Sequence, residues 1–189
     1  MKSPSKTLIA LALTFTALTA DAHTVVYTGA LADEVGTLSP GTGSATVTVD
    51  LDLFTLRVAF DFANLIGNTT AAHIHCCTAT PFSGNVGVAT ETPSFQIPFG
   101  VTSGSFDETF DLSEAASYNA SFITANGGTP SSAGNALILG LDQGRAYLNV
   151  HTSAFPGGEI RALLAPVPLP AAVWLLAPAL AGLGWFRRR

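Results

Sequence analysis

The chain has 189 residues, 48% of them hydrophobic and only 11% charged, with a formal net charge of −5. Between residues 23 and 166 the only cations besides histidine are Arg57, Arg145 and Arg161, set against 12 acids, so that stretch is near −9 and has no lysine. Such a surface repels nucleic acid and anionic membranes and excludes both as partners, while the length suits one domain with a real core.

At the N-terminus Lys2 and Lys6 precede an apolar run, Thr7–Leu18, followed by Ala20-Asp21-Ala22. A charged start, a short apolar segment and an A-x-A site make a secretory signal peptide. The run is too short for a lasting bilayer span. Cleavage is expected after Ala22, with His23 as the first mature residue. The expected organisation is a signal peptide over 1–22, one domain over 23–165 and a C-terminal sorting segment over 166–189.

The domain reads as β. "SATVTVDLD" alternates Ala45, Val47 and Val49 with Ser44, Thr46, Thr48 and Asp50, and "LRVAFDF" puts Leu56, Val58, Phe60 and Phe62 on one face. Asp50–Phe54 would join these two as a hairpin. Further strands are expected at Thr24–Gly29, Ala71–Cys76, Ser105–Asp111, Arg145–Thr152 and Glu159–Leu164. Pro156-Gly157-Gly158 supplies a turn between the last two. Ser113–Tyr118 and Ser131–Leu141 read as short helices, each opened by a serine able to cap. Many short strands between Gly/Pro turns predict an all-β fold, a sandwich or small barrel.

The stretch "AAHIHCCTAT" at Ala71–Thr80 holds two of the four histidines and both cysteines. On a strand, positions i and i+2 share a face. His73, His75 and Cys77 would therefore point one way, Ile74 and Cys76 the other. In "AYLNVHT" the same parity groups Tyr147, Asn149 and His151. If the two strands are neighbours, three imidazoles converge on one cation, and zinc or copper suits three histidines with an open position. Asp61, Glu159 or the amine of His23 could complete such a site. The alternative is a polar face whose histidines bond to each other or to backbone. Cys76-Cys77 falls in an oxidising compartment. Its choices are a vicinal disulfide, bridges to another chain, or thiolate ligation beside the histidines.

Other chemistry has little support. No G-x-S-x-G or comparable nucleophile setting exists, Asp50-x-Asp52 lacks a calcium loop, and Gly-rich pieces such as Gly41-Thr42-Gly43 sit before a strand and not before a helix. The expectation is a non-enzymatic protein.

From Ala171, the last residue of "RALLAPVPLPA", the chain carries 16 residues, Ala171–Phe186, and ends on Arg187, Arg188 and Arg189. At about 1.5 Å per residue that is about 24 Å of helix, a short transmembrane span against a core of about 30 Å. The positive-inside rule keeps the arginines cytoplasmic and the domain outside. Val167-Pro168-Leu169-Pro170-Ala171, an apolar helix and an Arg cluster in this order resemble the PEP-CTERM sorting signal in its VPLPA variant. The resemblance implies recognition by an exosortase of a Gram-negative bacterium. It also implies an inner-membrane-anchored precursor and delivery to the cell surface or an extracellular polysaccharide matrix.

A second resemblance covers most of 24–165. His73-Ile74-His75, Gly84–Val88, Tyr147–Thr152 and Phe155–Leu163 look like the CHRD domain, named for chordin. It implies an immunoglobulin-like or superoxide-dismutase-like antiparallel β-sandwich. Four histidines are too few for a binuclear copper–zinc dismutase site, and fold analogy supplies no function. The resulting expectation is an exported, surface- or matrix-directed protein with a structural, adhesive or binding role towards a polysaccharide or surface protein. The alternative is a copper or zinc protein, or a mononuclear metalloenzyme, using His73, His75 and His151.

Overall fold

Hydrophobic residues spaced two apart draw this chain into one curled sheet. The computed structural model describes residues 23–91 and 94–168. The expected signal peptide, Leu169, Pro170 and Ala171, the expected membrane segment and the arginines 187–189 lie outside the described residues. Among the described residues no helix is long and apolar enough to cross a membrane.

The strands are β1 (Thr24–Asp33), β2 (Thr42–Asp50), β3 (Thr55–Ala63), β4 (Thr69–Cys76), β5 (Gly104–Asp111), β6 (Ala146–Thr152), β7 (Ile160–Leu163) and β8 (Ala165–Pro166). They form an 8-stranded sheet in the order β4-β6-β7-β1-β2-β3-β5, with β8 on β1. Every pairing is antiparallel. β1 takes β2 as a partner over most of its length but reaches β8 at Tyr27–Thr28 and β7 at Ala32–Asp33. That shared strand lets the sheet curl into a sandwich-like shape around a single core.

The alternation predicted for β2 and β3 is what the sheet buries. Ala45, Val47, Val49, Leu56, Val58, Phe60 and Phe62 all lie in the core, and Val47 opposes Val58 across the hairpin. At the chain's exit the Val167 N–H donates to the Val26 carbonyl at 2.8 Å, so this first residue of the expected sorting motif still runs beside β1.

The helical segments depart from expectation. In place of a helix over Ser113–Tyr118 there is a single 3-10 turn, Ala115–Ser117. Ser113 does not cap it, because its hydroxyl donates to Asp111 Oδ1 at 2.6 Å. A further helix, α1 (Ala120–Ala125), was not expected; Asn119 caps it by accepting from Ser121 N at 3.0 Å. α2 spans Pro130–Asp142 and its cap is Thr129, not Ser131. Thr129 and Ser132 exchange bonds of 3.2 Å in both directions, a capping box, while Pro130 opens the helix without needing its missing N–H.

α2 closes the sheet by lying very near it, and glycine makes that possible. A Cβ on Gly134 would sit 2.5 Å from Cζ of Phe54, and one on Gly140 would overlap the sulfurs of both Cys76 and Cys77. We therefore expect Gly140→Ala to cost about 2 kcal/mol through overpacking despite alanine's better helix propensity. Urea unfolding followed by circular dichroism reads this directly; an unchanged midpoint would show that helix and disulfide can separate freely.

Candidate metal centre

β4 and β6 are neighbours. Their register sets Ala71 against His151, His73 against Asn149 and His75 against Tyr147. His73 and His75 are two apart on one face, and His151 lies diagonally across from His73. Diagonal neighbours on a sheet are within side-chain reach. The ring centroids are 6.0 Å (73–75), 5.2 Å (73–151) and 5.7 Å (75–151) apart. One ring nitrogen from each of the three lies within 4.8 Å of the others.

This face is not left to solvent. The segment after β4 returns along its outer edge, with Cys76 N–H donating to Gly87 O at 3.3 Å and Ala89 N–H to Ile74 O at 2.9 Å. His73 and His75 are 6% and 7% exposed, and His151 is half-buried. The returning segment and the 153–158 turn also fix the rings. His75 Nδ1 is 2.8 Å from the Val86 carbonyl and His151 Nδ1 is 2.9 Å from the Pro156 carbonyl. A carbonyl only accepts, so each Nδ1 carries the proton and each Nε2 presents a lone pair. Those two Nε2 atoms are buried and have no hydrogen-bond partner. Orphaned buried acceptors are costly in a folded protein unless something else binds them.

Burial keeps the His75 and His151 rings neutral. Burial chiefly, helped by the nearby His151 and His73 and opposed by the Val86 carbonyl, pushes His75 down to about 4. Burial likewise lowers His151, with the Pro156 carbonyl and the Glu34 carboxylate opposing it. Neutral imidazoles are the form that binds metal. Three nitrogens each about 2.1 Å from one tetrahedral ion lie about 3.4 Å apart, so the rings would draw together from their present spacing of up to 4.8 Å on taking up an ion.

Behind the histidines lies a polar layer. Tyr147 stacks on His75 with centroids 4.8 Å apart, and its hydroxyl donates to the same Val86 carbonyl at 3.3 Å. Arg161 lies over Tyr147 at 5.5 Å. It also pairs with Glu34 Oε1 at 3.0 Å and donates to Asn85 Oδ1 at 2.9 Å, tying β7 to the segment that holds His75. Asn149 donates to Glu34 Oε2 at 3.0 Å. Sequence parity placed Tyr147 and Asn149 on the histidine face. Glu34 and Arg161 were missed, and the only available signal was that Arg161 alternates with the buried Ile160 and Ala162.

None of the groups suggested as further ligands joins the cluster. Glu159 accepts from Ser39 Oγ, Thr152 Oγ1 and the N–H groups of Ile66 and Gly67. Asp61 accepts from Ser44 Oγ at 2.5 Å, and His23 faces Asp52. Cys77 does not share the histidine face either. Cys76 and Cys77 are joined as a vicinal disulfide across a cis peptide bond, and both sulfurs lie against Gly140 on α2. No cysteine is free among the described residues, which removes thiolate ligation and bridges to another chain.

A mostly β domain, one curled antiparallel sheet with a roofed polar face, is the class of protein that fold and site together define. The chain belongs to the CHRD domain family, whose model matches residues 16–164. No curated protein and no solved structure matches it.

Proposed function

We propose that this CHRD domain binds one transition-metal ion, zinc or copper, through His73, His75 and His151. The observation that carries the reading is the pair of buried Nε2 lone pairs on His75 and His151, two rings clustered with His73 and with tautomers fixed by backbone carbonyls. An all-imidazole donor set suits zinc or copper and not magnesium or calcium, which take oxygen. The half-buried edge at His151 leaves a coordination position for water or a small ligand, so both storage and mononuclear chemistry are within reach of the site. Export through the N-terminal signal, anchoring by the tail and exosortase processing would deliver it to the cell surface or matrix of a Gram-negative bacterium.

The test is elemental analysis of the purified exported protein after exposure to zinc and dialysis. About one equivalent should remain, and His75→Ala should lose it with the circular dichroism spectrum intact. Retention of the same amount by His75→Ala would sink the proposal.

A second reading, a structural or adhesive role, draws on a different feature. A shallow groove of about 370 Å³ on the outer face of β2, β3 and β5 is lined by Ser44, Thr46, Asp61, Ser105 and Asp107. Hydroxyls and carboxylates in a row suit a polysaccharide.

A further inference from the structure

We infer that the mature N-terminus forms a second metal site, for Cu(II), whose ligands are the α-amine and Nδ1 of His23 and the carboxylate of Asp52. It rests on the export reading, in which cleavage after Ala22 makes His23 the first residue. It does not depend on the histidine cluster.

The fold holds these groups in place. The His23 carbonyl accepts from Leu51 N at 3.0 Å, which pins the residue's main chain to the turn between β2 and β3. From there its nitrogen lies 3.1 Å from Asp52 Oδ2 and its Nδ1 3.2 Å from Asp52 Oδ1. Asp52 is itself positioned, because Asp50 Oδ1 accepts from Asp52 N at 3.0 Å and from Leu53 N at 2.9 Å. The main-chain nitrogen and Nδ1 of His23 therefore each face one oxygen of a single ordered carboxylate.

Cleavage would change what that arrangement can do. Before it, the nitrogen of residue 23 is a peptide N–H, a donor without a lone pair for metals. After it, the same atom is an amine, and amine and Nδ1 close a six-membered chelate around one ion. Two nitrogens and a carboxylate oxygen suit tetragonal Cu(II), which outranks zinc on such ligands. The side chains of His23 and Asp52 are 80% and 55% exposed, so water can fill the remaining positions. The ordinary alternative is an exposed ion pair between the new ammonium and Asp52. The two candidate sites cannot share an ion. β1 runs 10 residues from beside Asp52 to the strand end next to Glu34, a span of about 30 Å at about 3.3 Å per residue.

The experiment exports the full chain with its own leader, reads the mature N-terminus by intact mass, and titrates Cu(II) with detection by electron paramagnetic resonance. The mass should place His23 first. His23→Ala should remove one class of copper that the wild type binds, and Asp52→Asn should weaken that class at least about tenfold. The His73→Ala/His75→Ala double variant should retain it. If that variant fails to fold, the His23 and Asp52 variants still decide. Were the cluster reading alone to fail, wild type and double variant would bind the same copper, all of it lost with His23→Ala. A mature chain starting elsewhere, or equal copper in wild type and His23→Ala, would overturn the inference.

Discussion

Glu159→Ala is expected to remove about 4 kcal/mol of stability, a large share of what a domain of this size has. Glu159 is 0% exposed, and its carboxylate is the meeting point of two loops and the end of β6. Oε1 accepts from Ile66 N and Ser39 Oγ, both at 2.6 Å; Oε2 accepts from Thr152 Oγ1 at 2.7 Å and Gly67 N at 3.0 Å. Removing the acceptor strands four donors from segments 37–41, 64–68 and the end of β6, and each buried orphan costs about 1–3 kcal/mol before water enters. Glu159→Gln keeps one acceptor but turns an NH₂ group towards donors, so it should lie between wild type and alanine. Denaturant unfolding of the three proteins measures the series. A loss below about 1 kcal/mol for alanine would show that the loops hold without the carboxylate.

The same residue sets a pH dependence. Burial pushes the Glu159 carboxyl up, but the bonds from Ser39, Thr152, Ile66 and Gly67 outweigh it and hold the group below its ordinary value. A carboxyl with a lowered folded value contributes stability that is fully present above its unfolded value of about 4.3. That contribution fades as pH falls through the folded value. The stability gap between wild type and Glu159→Gln should therefore be flat above about pH 5 and narrow below about pH 4.

The second large effect is metal-linked. If His73, His75 and His151 share an ion, zinc at about 100 times its dissociation constant should stabilise the domain by about 2.7 kcal/mol. For a chain of this size that corresponds to a rise in Tm of roughly 5–10 °C. The gain arises because the unfolded chain does not bring the three rings together. In His75→Ala the shift should vanish, since two imidazoles on one edge bind far more weakly. Magnesium should do nothing for either protein. An equal shift in wild type and His75→Ala would assign the effect to some other group.

Much of this was legible in the chain, for identifiable reasons. A period of two is a direct statement about faces, so β2, β3 and the common face of His73 and His75 could be read residue by residue. That β4 and β6 are neighbours could not, because pairing between strands 70 residues apart is decided by the core and not by either strand. The roof over the histidines was hidden for a related reason: Val86 and Pro156 act through backbone carbonyls, which every residue has. Glu159, after a Pro-Gly-Gly turn, read as a group that could complete the metal site, since nothing in its own neighbourhood shows four donors arriving from elsewhere. The direction of the Cys77 sulfur failed where strand parity stopped applying, at the bond joining it to Cys76. Ser131 lost the cap to Thr129 because Pro130 opens the helix better one residue earlier.

The central claim is that three imidazoles of this domain coordinate one ion, and X-ray absorption at the metal edge tests it most directly. The zinc- or copper-loaded exported protein, with His23→Ala to silence the N-terminus, should show a first shell of nitrogen at about 2.0–2.1 Å with the outer-shell scattering of imidazole rings. A first shell of oxygen without imidazole scattering, or one unchanged by His75→Ala, would contradict it.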